Sequence, residues 1–180
     1  MTVRARWQDL AAEHRRWIVV HAGLVTAVIN LVLGGFIAWM GVRSQHWVPL
    51  WTAPAVGKSA ILTDTVGTFF FLPFMTCLFV TTFVWIEARA GRMPPLRAVT
   101  VPVRYRGGRA RRGAALGITC MAALSPVAAA ALFLLSRDGM STGTFVLYKG
   151  VLGVVLGAIV TPVIALWAMA DAPDARPSSS

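Results

Sequence analysis

Acidic side chains are the scarcest chemical resource in this 180-residue chain: seven Asp and Glu face seventeen Lys and Arg, for a formal net charge of +10. Lysine contributes only Lys58 and Lys149, and asparagine only Asn30. The two cysteines, Cys77 and Cys120, both fall inside apolar runs without a CxxC pair, which argues against a disulfide-exchanging membrane oxidoreductase. The three histidines, His14, His21 and His46, do not pair at one depth, so neither haem ligation nor a metal cluster is expected. Paired acidic motifs for lipid diphosphates, a Ser/His/Asp set, a Walker loop and a strand-borne GxGxxG are missing as well. No catalytic residue, metal ligand or cofactor follows from these residues, and a membrane-embedded enzyme is the least supported class.

What remains is apolar. Charged residues make up 13 % of the chain and hydrophobic ones 57 %, with a mean hydropathy of +0.68, whereas a soluble domain keeps about a quarter of its residues charged. Four runs, at about 17–40, 60–88, 113–136 and 143–170, each reach the ~20 residues that cross a hydrocarbon core of ~30 Å. The expected fold class is all-α, an integral membrane bundle of four transmembrane helices. The first run is too long for the apolar core of a signal peptide. The loop 89–112 is too short and too basic to enclose a core of its own.

Arginine sets the expected orientation. Arg4, Arg6, Arg15 and Arg16 precede the first run, and Arg89, Arg92, Arg97, Arg104, Arg106, Arg109, Arg111 and Arg112 fill the loop between the second and third, while the opposite loops hold only Arg43, Lys58 and Arg137. The positive-inside rule then places both termini in the cytoplasm. Trp17, Trp85 and Trp167 mark the inner ends of runs, and Trp39, Trp47 and Trp51 the outer side, as interfacial indoles should. The excess of arginine over lysine matches a GC-rich bacterial genome, so the bacterial cytoplasmic membrane is the expected location. Residues 1–16 suit either a short interfacial amphipathic helix or a polar lead-in, and residues 171–180 a disordered cytoplasmic tail.

Packing faces are written in small residues, because lipid tails give helices no hydrophobic reason to associate. Gly23, Ala27, Asn30 and Gly34 form one stripe on the first run, and Gly150, Gly153 and Gly157 one on the fourth. Thr65, Thr68 and Thr76 share a face of the second run, and the third is rich in alanine. Pro73, Pro126 and Pro162 free backbone carbonyls that Ser125 and Thr161 are placed to satisfy.

Ionisable groups within spans are functional hypotheses by default. Counted from the inner tryptophans at ~1.5 Å per residue, Asp64 lies roughly 31 Å up and Lys149 roughly 27 Å up, close enough in height for a lysine stem to bridge. Such a pair could lock two spans or gate a vestibule. The contrary reading, favoured by the nearness of Asp64 to the edge, makes Thr63-Asp64-Thr65 a helix start at headgroup level and lets Lys149 snorkel to water. Asn30, near mid-depth, is expected to hydrogen-bond a neighbouring helix. Beyond topology, Arg97, Arg104, Arg106, Arg109, Arg111 and Arg112 are candidates for contact with anionic lipid headgroups or an acidic partner, at ~1 kcal/mol per basic residue. Nucleic acid is not an expected partner, because the loop has no recognisable binding fold. Together these features favour a non-enzymatic accessory or assembly component of a membrane complex, or a homo-oligomer. The alternative is a small oligomeric channel or transporter with a polar path through Asp64, Asn30 and Lys149.

Overall fold

A computed structural model describes residues 18–52, 59–92, 96, 101–102, 105 and 107–172, the side chains of residues 18, 19, 21 and 22 excepted. The proposed interfacial segment 1–16 and Arg97, Arg104 and Arg106 lie outside the described residues.

Four long helices carry the structure. A π-helical entry, Ile18–Val25, leads into α1 (Thr26–Val42), followed by α2 (Ile61–Arg89), α3 (Arg109–Leu135) and α4 (Thr142–Ala170). All four stretches are long and apolar enough to cross a membrane. Each helix runs along one of the four apolar stretches. The third helix begins at Arg109 rather than Gly113, so Arg109, Arg111 and Arg112 belong to a helix and not to the loop. Arginine is a good helix former, and an apolar count stops where the charge begins although the hydrogen-bond ladder does not.

The helices do not pack in chain order. α4 lies between α1 and α2, and α3 joins the far side of α2. The central pair is the most enclosed, while α1 and α3 leave most of their surface open. Even α2 and α4 keep one apolar stripe outward, Phe71, Met75, Phe79, Phe83 and Ile86 on the first and Leu147, Val151, Val155 and Ile159 on the second, at the spacing of one helix face. Pro73, Pro126 and Pro162 all lie within unbroken helices. Ser125 and Thr161 do not satisfy the freed carbonyls as expected: their buried hydroxyl oxygens take no hydrogen bond among the described residues.

At one end of the bundle the two short connections are tied together. Strand β1 (Trp47–Val48) pairs antiparallel with β2 (Met140–Ser141), Trp47 opposite Ser141 and Val48 opposite Met140. The chain beyond β1 then supplies what α2 lacks, a cap for its first N–H groups: Ile61 and Leu62 donate to the carbonyls of Pro49 and Leu50 at 3.0 and 3.1 Å. Ser141 caps α4 from its own side chain, accepting from the Thr144 N–H at 3.3 Å. Gly139 makes the tie possible. Its φ of +102° is disfavoured for other residues, and a Cβ there would run into the Val48 carbonyl. Gly139→Ala is therefore expected to lower the melting temperature in detergent, whereas Gly143→Ala, with open space around its Cβ, leaves it unchanged. Equal melting of the two variants would refute the tie.

At the opposite, arginine-rich end, Asp171 and Ala172 of the expected disordered tail are ordered against α4, and residues 173–180 lie outside the described residues. The Asp171 N–H caps α4 on the Trp167 carbonyl at 3.2 Å, and Ala172 is buried.

Candidate functional site

Helix α4 places Lys149 on the side that faces α2, and the first turn of α2 places Asp64 and Thr68 one turn apart, so both reach the same ammonium. Lys149 is 5 % exposed, and its Nζ lies 2.5 Å from the Asp64 carboxylate. It also donates to the Asp64 carbonyl at 3.2 Å and to the Thr68 hydroxyl. The carboxylate supplies the counter-charge, while the Asp64 carbonyl and the Thr68 hydroxyl accept the hydrogen bonds of the ammonium. The Thr68 hydroxyl in turn donates to the Asp64 carbonyl at 2.8 Å. Beside this group, the buried Thr65 bonds the Ile61 carbonyl at 2.7 Å and the Tyr148 hydroxyl at 3.0 Å. The snorkelling reading is thereby overturned: Lys149 turns inward to α2, because a partner one helix away satisfies it without the longer reach to water. Asp64 lies in the first turn of α2, with about a third of its side chain exposed.

Asn30 approaches α4 from the other neighbour, α1, and its amide donates to the Gly153 carbonyl at 3.4 Å. It is the centre of the small-residue seam. A Cβ on Gly153 would stand 3.2 Å from the Asn30 carbonyl, one on Gly157 would overlap the Asn30 amide, and one on Gly150 would meet Leu31 at 2.9 Å. Gly34 faces the Lys149 carbonyl, and Gly23 and Ala27 are half-buried. Asn30 and Lys149 thus take separate partners on separate helices.

The seam between α2 and α3 rests on glycines that sequence reasoning passed over as part of an alanine-rich helix. Gly113 and Gly117 let α3 approach the backbone of α2, with a Cβ standing 3.0 Å from the Phe74 carbonyl at the first and 2.7 Å from the Phe70 carbonyl at the second. The signal was available in the four-residue spacing.

At the arginine end, Arg112 departs from its expected role at the surface. Only 1 % exposed, it donates to the Tyr105 carbonyl at 3.0 Å and forms an ion pair with Asp171. It is not available to a lipid. The Tyr105 ring stacks on Trp167 at 4.7 Å, and the Leu96 N–H donates to the Met169 carbonyl at 3.0 Å, so these two described residues of the connection are held against the end of α4. Arg109 and Arg111 stay exposed, and Arg109 donates to the Thr82 hydroxyl at 2.7 Å. Arg92 makes a two-point pair with Glu87 at 2.7 and 2.8 Å, which holds its guanidinium above the ordinary arginine value through the hydrogen bonds first and the opposite charge second.

Among the described residues no three His, Cys, Asp or Glu side chains converge as metal ligands. Comparison with family models, with curated proteins and with solved structures finds no match for this chain.

Proposed function

We propose that this chain is a non-enzymatic accessory or assembly component of a membrane complex in a bacterial cytoplasmic membrane, with both termini in the cytoplasm. The observation that supports it best is the Asp64, Thr68 and Lys149 group, where the one lysine ammonium within the four helices is charge-paired and hydrogen-bonded to the neighbouring helix. A transport site needs a charge that exchanges partners with its cargo, whereas a clasp needs one that does not. The half-buried amide of Asn30 is likewise spent on helix packing. The open apolar faces of α1 and α3 suit lipid or the helices of a partner, and the basic end suits an anionic leaflet.

Purification in mild detergent is expected to bring down another membrane protein in fixed stoichiometry. Ion or solute flux by the isolated protein in liposomes, with no partner present, would overturn the accessory role. Orientation has its own check. Reporters fused after Pro173 or between 97 and 109 are expected to read cytoplasmic and one near Val48 periplasmic, and a periplasmic reading from the basic loop would invert the arrangement.

A further inference from the structure

Between the last turns of α2 and the first turn of α3 lies an open groove of about 430 Å³, lined by Thr82, Trp85, Ile86, Arg89, Gly108 and Arg109. Its charge is unbalanced, for neither Arg89 nor Arg109 has an ion pair among the described residues, and no carboxylate lines the groove. Gly108 starts α3 without a side-chain cap, which leaves backbone N–H groups of the first turn open at the same place. Below the polar rim, Ile86 continues into the outward stripe of Phe83 and Phe79 on α2.

We propose that this groove is a headgroup site for one anionic phospholipid. The guanidinium groups of Arg89 and Arg109 take the phosphodiester, and the acyl chains lie along Ile86, Phe83 and Phe79. A soluble phosphate would use the rim alone. The apolar stripe directly beneath it is what selects a lipid. The proposal rests on the preceding reading only in placing the arginine end at an anionic leaflet. It needs no protein partner, so a failed search for one leaves it standing.

The test is titration of the purified full chain with phosphatidylglycerol, against phosphatidylcholine, with retained lipid counted by native mass spectrometry. The wild type is expected to keep one phosphatidylglycerol in preference to phosphatidylcholine. The double variant Arg89→Gln with Arg109→Gln should lose roughly thirty-fold in apparent affinity, the sum of two basic contacts. Arg92→Gln with Arg111→Gln removes the same charge outside the groove and should change affinity by less than about three-fold. Gly108→Leu fills the groove without altering charge, and because a Cβ there meets open space the fold should survive while the lipid is lost. Inorganic phosphate should not displace the lipid. Equal losses in the two double variants would reduce the site to diffuse attraction, displacement by phosphate would make it a free-anion site, and a wild type without lipid preference would remove it; any of these overturns the proposal.

Discussion

Asp64→Asn is expected to destabilise the bundle by about 3 kcal/mol, because it leaves the ammonium of Lys149 enclosed without its counter-charge. The reverse change is asymmetric. Lys149→Met leaves a carboxylate whose side chain is 35 % exposed, so the Asp64 charge can be rehydrated and the cost falls to about 1 kcal/mol. Thr68 then keeps its own bond to the Asp64 carbonyl and adds no further loss. The double variant should recover much of the Asp64→Asn penalty, since neither charge is then stranded. Unfolding in detergent of the four members of this cycle gives the coupling directly. Purely additive effects would show that the two side chains do not meet in the folded protein, and the clasp would go with them. A clasp also predicts that the Asp64→Asn protein loses any co-purifying partner only in proportion to its lost stability.

Gly117→Ala should cost about 2 kcal/mol, through steric overpacking rather than through loss of a contact. The new methyl would stand 2.7 Å from the Phe70 carbonyl and 2.9 Å from the Phe70 ring, and the first of these belongs to backbone that moves only if α2 and α3 separate. Gly113→Ala should follow at smaller cost, with its nearest contact at 3.0 Å. Gly67→Ala supplies the comparison within α2. Nothing lies within 4 Å of its Cβ, so the helix gains alanine's better propensity and stability holds or rises. Should Gly67 and Gly117 respond alike to alanine in a thermal melt, backbone propensity and not close approach would govern this seam.

The apolar runs and the small-residue stripes made four helices and the close-packing faces of α1 and α4 legible in the sequence, because each depends on local composition or on helical spacing alone. Asn30 and Gly153 belonged to stripes visible at helical spacing, but only the fold brings those two stripes together. The neighbour relations were not legible. In lipid an apolar face has no preference for another apolar face, so nothing in the composition says that α4 stands between α1 and α2. Height counting brought Asp64 and Lys149 to a similar level, but contact also requires the rotation of two helices about their axes, which only packing sets. The strand pairing that joins the two short loops depends on where four helix ends arrive, and the sequence shows no more than a permissive Gly139.

Sequence alone thus determined the four long apolar helices among the described residues and which residues allow close approach, since those properties are summed over neighbours along the chain. Tertiary structure decided what each rare polar group is for. Arginine counted only as positive charge gives Arg112 no distinction from Arg111, yet one is buried against Asp171 and the other is exposed. The difference arises because α3 begins beside the end of α4, and a guanidinium turned toward that junction finds a carboxylate and a carbonyl where its neighbour finds water.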